Sequence, residues 1–75
     1  MSALKLLLID RLRKKGVEDN LIGCYIRSMK TCFAADPNLG VPQMHQLLGE
    51  YGWQGIELDD DTVHIAAVCY NTGRL

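Results

Sequence analysis

Apolar residues recur every three or four positions in this chain, within short segments that are separated by glycine or proline. The clearest segment carries Ile22, Tyr25, Ile26, Met29, Cys32 and Phe33. An α-helix brings residues three and four positions apart onto the same side, so this spacing places all six on one helical face. The pattern therefore predicts short helices that pack together through their apolar faces.

We predict four helices, and local signals mark their ends. They cover residues 2–15, 18–35, 42–51 and 59–71. Ser2 and Asp59 are suitable N-caps, since their side-chain oxygens accept from free backbone N–H groups. Gly16 supplies the left-handed position after the first helix, and Gly52 and Gly73 end the third and the fourth. Trp53 is expected to fold back onto the end of the third helix. The second helix ends before Pro37, because the residue that precedes proline avoids helical dihedral angles.

The fourth element has an alternative interpretation, since its β-branched and aromatic residues also suit a strand. Residues 53–58 and 62–70 would then form a C-terminal β-hairpin, giving an α+β fold with three helices. Ala66 and Ala67, together with the acidic capping run before them, favour the helix. We therefore predict an all-α, compact four-helix fold, with residues 1–75 forming a single helical domain.

The predicted core draws on every helix and on the segment between the third and fourth. Its members are Leu8, Ile26, Met29, Phe33, Leu47, Trp53, Ile56, Leu58, Ala66 and Tyr70. The first two helices are expected to form an antiparallel hairpin through Gly16 and Val17, and the other two to pack across them. A chain of 75 residues buries only about 60–65% of its unfolded surface. A deep cavity would compete with this core, which favours a partner-binding surface over an enclosed active site.

Charge is unevenly distributed along the chain. Residues 1–30 carry seven basic and three acidic side chains, a net +4, whereas residues 31–75 carry one and six, a net −5. The basic cluster comprises Arg11, Arg13, Lys14, Lys15, Arg27 and Lys30. It is the candidate surface for an anionic partner, and a small nucleic-acid-associated regulator is one hypothesis. The other interpretation is a solvated helix end that complements the helix dipole, and the sequence pI near 6.0 favours it.

The sequence predicts no catalytic residue, no cofactor and no metal. The residues with reactive or ligating side chains are Cys24, Cys32, Cys69, His45 and His64. Their spacings are not those of structural zinc sites, and nothing places a cysteine beside a histidine. Buried, reduced thiols are expected, and which of the three is reactive stays open. The acidic run 59–61 is interpreted as helix capping rather than as a cation site.

The longest apolar run, residues 6–9, is far shorter than the roughly 20 residues that a membrane span needs. No export signal is recognised, so we expect a cytoplasmic location and no membrane partner. Leu6 and Ile9 lie beside the apolar stripe of the first helix and widen it beyond one packing face. They form the candidate self-association face. Our first hypothesis is therefore a non-enzymatic helical protein-interaction module that binds a protein partner or a second copy of itself.

A pattern in the C-terminal half resembles a known group of sequences. It consists of Gly52-Trp53, then Ile56-Glu57-Leu58-Asp59, then Thr62 and Ala66. It is similar to the C-terminal signature of a group of short bacterial proteins of unknown function, as is the I-x-x-Y-I-R run of residues 22–27. The resemblance covers residues 18–70 and implies a small helical fold, without an activity, substrate or cofactor.

Overall fold

The structure, a computed structural model, describes residues 2–75. Within this range the chain forms helices α1 (Ala3–Lys14), α2 (Ile22–Ala35), α3 (Val41–Glu50) and α4 (Asp60–Asn71), together with a single 3-10 turn, Asp19–Leu21. No strand is present in this part of the chain, so the all-α prediction is confirmed and the hairpin alternative was wrong. The shortest dimension of the molecule, 19 Å, is about two helix diameters, which leaves an interior one layer of side chains deep.

Side chains cap the first and last helices as expected. The Ser2 Oγ accepts from the Lys5 N–H at 3.2 Å, and the Asp59 Oδ1 accepts from the Thr62 N–H at 2.8 Å. Helix α2 differs from the prediction, since it begins at Ile22 rather than at residue 18. Asp and Asn are poor helix formers, and here they lie in the tighter 3-10 turn that precedes α2.

Three of the four α-helices end in the same backbone motif. After α3, Gly52 adopts a positive φ of 92°, and the Trp53 N–H donates to the Leu48 carbonyl oxygen at 3.0 Å. This is the Schellman arrangement, which only a residue tolerant of left-handed angles can complete at low cost. The same motif ends α1 at Gly16 and α4 at Gly73. The predicted helix stops are thereby confirmed.

Trp53 fastens the irregular segment between α3 and α4 onto α2. Its Nε1–H donates to the Ser28 Oγ at 2.9 Å, and its ring meets the Tyr25 ring edge to face, with centroids 5.1 Å apart. These two contacts place the Trp53 side chain against α2. It is therefore half-buried, and it covers the core rather than filling it.

The core is continuous across all four helices. Six of the ten predicted core residues are buried: Leu8, Ile26, Met29, Phe33, Leu58 and Ala66. The other four, Leu47, Trp53, Ile56 and Tyr70, are partly buried and pack against it. Leu7 and Tyr51 recur at helical spacing with buried residues of their helices, yet they are 40% and 55% exposed. Leu7 lies outside the narrow stripe of Leu8 and Leu12 that α1 buries, and Tyr51 follows the last turn of α3.

Helix α1 packs most closely against α4. The contact faces of α4 carry short side chains such as Ala66 and Cys69, which let two helix backbones approach each other. The turn at Gly16 and Val17 forms as predicted, and α1 contacts α4 more extensively than it contacts α2. A groove is left between α1 and α2.

Candidate interaction groove

The α1–α2 groove has a volume of about 480 Å³ and is partly open to solvent. Helix α1 contributes Lys5, Ile9 and Arg13, which are spaced four residues apart and therefore share one face. Helix α2 and the turn before it contribute Asp19, Ile22, Gly23, Ile26, Arg27 and Lys30, and Leu75 completes the lining.

The floor of the groove is apolar. Ile22 and Ile26 are buried at 6% exposure each, while Ile9 and Leu75 are partly buried and pack against the core. Gly23 lies between the two buried isoleucines in sequence, and a Cβ added there would meet nothing within 4 Å. Gly23 therefore does not mark a close approach of α2 to α1. Its missing side chain instead leaves open space in the groove.

The rim of the groove is basic. Lys5, Arg13, Arg27 and Lys30 surround the floor, and Asp19 is the single acidic residue among those that line it. The Arg13 Nε lies 2.6 Å from the Asp19 Oδ1, so that cation is already paired. Lys5, Arg27 and Lys30 form no ion pair with any carboxylate that the structure describes. The groove therefore combines an apolar floor with three cations that are free to pair with a ligand.

The structure divides the predicted basic cluster into two groups. Arg13, Arg27 and Lys30 come together at the groove. The others do not line it: Arg11 lies elsewhere on α1, Lys14 pairs with Asp10 at 3.0 Å, and Lys15 pairs with Asp59 at 2.9 Å.

The predicted self-association face is also divided. Ile9 is partly buried and belongs to the floor of the groove. Leu6 is 53% exposed on α1 and does not line the groove. Leu6 and Ile9 are three residues apart and so share a helical side, which places Leu6 toward the outer edge of the same region.

Sequence reasoning missed Lys5 and Gly23 as groove residues. For Lys5 the signal was available, because Lys5, Ile9 and Arg13 recur every four residues and must share one face of α1. For Gly23 only the orientation of α1 relative to α2 decides whether the glycine meets a neighbour or open space.

The pair between Lys15 and Asp59 joins the end of α1 to the start of α4. Hydrogen bonds from Thr62 and from Lys15 hold the pKa of the Asp59 carboxyl well below its usual range. The Asp59 carboxylate is half-exposed, caps α4 and pairs with Lys15 at the end of α1.

The cysteines and histidines are not brought together. Burial raises the pKa of the Cys32 and Cys69 thiols, which keeps both protonated near neutral pH. Cys24, His45 and His64 are exposed. Among the described side chains, no group of three or more His, Cys, Asp or Glu residues is placed to hold a metal ion.

None of the helices described here is long and apolar enough to cross a lipid bilayer. The chain matches no protein-family model, and comparisons with curated proteins and with solved structures give no match.

Proposed function

We propose that this chain is a non-enzymatic protein-interaction module that binds an acidic, apolar-bearing segment of another protein in the α1–α2 groove. The observation that carries the proposal is the arrangement of Lys5, Arg27 and Lys30, three cations without an ion-pair partner, around a floor of isoleucines. Carboxylates on the partner would pair with the rim, and its apolar side chains would cover the floor.

The two halves of the groove have different physical roles in this proposal. Exposed cations attract an acidic partner and orient it, but each exposed ion pair adds little free energy. Burial of apolar surface supplies most of the affinity. A volume of about 480 Å³ is suited to a few side chains, so the occupant is a segment rather than a whole domain.

A protein partner fits the groove better than a nucleic acid does. Binding of single strands relies on aromatic side chains that stack on bases, and none of the described residues lining the groove is aromatic. Lys14 and Lys15, which a phosphate backbone would need, are held by Asp10 and Asp59. Nucleic-acid binding is therefore the alternative result that the binding experiment must be able to detect.

The test uses fluorescence anisotropy with three labelled peptides of equal length: one of leucine and glutamate, one with lysine in place of glutamate, and one with serine in place of leucine. We expect the first to bind, more weakly as salt is raised, and the other two to bind much less. Labelled duplex DNA and single-stranded RNA form the remaining arms. The proposal is wrong if all three peptides behave alike, or if a nucleic acid binds more tightly than the acidic peptide.

Two double variants locate the binding surface. Replacement of Arg27 and Lys30 by alanine removes two rim cations, whereas replacement of Arg11 and Lys14 removes the same charge outside the groove. Each exposed ion pair contributes roughly 0.2–1 kcal/mol, so the loss of two should lower the affinity of the first variant for the acidic peptide about 2- to 30-fold. The control should change affinity much less, and equal losses would place binding elsewhere.

Self-association is a second candidate, which the exposure of Leu6 and of the neighbouring Leu7 supports. Sedimentation velocity over a range of concentrations would then show a dimer, and Leu6→Ser would shift it toward monomer. A monomer at every concentration would eliminate this candidate without touching the first.

A further inference from the structure

Gly23 is the second residue of α2, and neither the backbone nor the packing of this chain requires a glycine there. Its backbone angles are not of the kind that exclude other residues, and a Cβ would meet nothing within 4 Å. Glycine also lowers helix stability relative to alanine. Gly23 is exposed and lines the groove together with Ile22 and Ile26, so the space that its missing side chain leaves belongs to the groove.

Two ridges of residues with the same spacing line the groove, one on each helix. Lys5, Ile9 and Arg13 form one ridge on α1, and Ile22, Ile26 and Lys30 form the other on α2, each with steps of four residues. Helices pack by fitting such ridges into the grooves between them. Each ridge spans about 12 Å, or about two helical turns, at a rise of about 1.5 Å per residue.

We infer that the occupant of the groove is an acidic amphipathic α-helix, and that one of its large apolar side chains lies over Gly23 among Ile9, Ile22 and Ile26. This inference rests on the proposed function and names its partner class. Glutamate or aspartate residues on both sides of the apolar stripe of that helix would reach Lys5 on one rim and Arg27 and Lys30 on the other.

An extended segment fits this groove less well. Peptides that bind as strands add to an open sheet edge through backbone hydrogen bonds. The groove lies between two helices, which present no sheet edge, and no strand occurs in residues 2–75. Recognition must therefore come from side chains, which is the mode by which amphipathic helices bind.

Two substitutions at one position test the inference. Gly23→Ala adds only a methyl group, so we expect higher thermal stability and affinity for the leucine–glutamate peptide within about twofold of wild type. Glutamine is also a good helix former, but in Gly23→Gln its side chain fills the space that the apolar side chain of the peptide needs. This variant should keep or raise thermal stability while its affinity for the peptide falls about tenfold or more.

A second measurement concerns the peptide. Its far-ultraviolet circular dichroism should gain helical signal on mixing with the protein, and a version with a central proline should lose most of its affinity. If the proline version binds as well as the parent, or if Gly23→Gln leaves affinity unchanged, the inference is wrong while the proposed function stands. If neither peptide binds the wild-type protein at all, both the inference and the proposed function fail.

Discussion

The hydrogen bond between Trp53 and Ser28 should be measurable in isolation, because α2 contains a matched control. The Ser28 and Thr31 hydroxyls each donate to the carbonyl oxygen four residues earlier, both at 3.1 Å. Only Ser28 also accepts from the Trp53 Nε1–H, at 2.9 Å. Ser28→Ala and Thr31→Ala therefore remove the same local bond, and they differ in whether the indole loses its partner.

The expected difference follows from the half-buried position of the indole. A hydrogen bond of this kind contributes about 0.5–1.5 kcal/mol, and a donor left without a partner adds a desolvation cost. Alanine favours the helix at both positions by a similar amount, so this gain cancels in the comparison. We expect Ser28→Ala to be about 1 kcal/mol less stable than Thr31→Ala, which corresponds to about 4–8 °C in Tm for a domain of this size.

Two assays report on this prediction. Urea unfolding gives the free energies, and Trp53 is the only tryptophan, so its emission reports directly on the indole. Emission should shift to the red in Ser28→Ala and stay at the wild-type wavelength in Thr31→Ala. Equal stability and equal emission in the two variants would show that the bond does not hold the segment onto α2.

Three further predictions concern the helices. Leu8→Ala, at a fully buried position, should lower the free energy of unfolding by about 2–5 kcal/mol, whereas Leu7→Ala should change it by less than about 0.5 kcal/mol; urea midpoints that match each other would contradict this. Gly52→Ala should lower Tm, since a left-handed angle costs a non-glycine residue about 1–2 kcal/mol. Gly49 lies in open space within α3, so Gly49→Ala should raise Tm. Scanning calorimetry measures both changes, and a higher Tm for Gly52→Ala or a lower Tm for Gly49→Ala would contradict the expectation. The lowered pKa of Asp59 stabilises the fold above its unfolded pKa of about 3.9, and this contribution is lost as pH falls toward the folded value. Asp59→Asn keeps a capping oxygen but removes the charge. Its free energy of unfolding should be lower than that of the wild type at pH 7, and this difference should shrink by pH 2.5. A difference that does not depend on pH would refute the linkage.

The helical fold could be predicted because it depends on local signals. The apolar period of α2 fixed its buried face, and the glycine stops at Gly16, Gly52 and Gly73 each formed the expected motif. These signals act within a few residues of chain, where backbone geometry and capping decide the outcome.

The groove could not be predicted, because it depends on which helix α1 contacts. The sequence orders residues around each helix, but it does not state which helix α1 contacts most extensively. In the structure Leu7 is exposed, Gly23 faces open space, and Arg13 and Arg27 line the groove while Arg11 does not. Ion pairs such as Lys15 with Asp59 join residues far apart in the sequence and were missed for the same reason.

The close pairing of α1 with α4 also determines when this protein acquires its structure during synthesis. The leucines of α1 are synthesised well before the helix that contacts α1 most extensively, since α4 begins only at Asp60. Ordering the leading segment must wait for a contact distant along the chain, because the entropy of closing that loop is recovered only when α4 arrives. Until then the nascent chain displays a leucine-rich segment, which is the kind of sequence that holding chaperones bind.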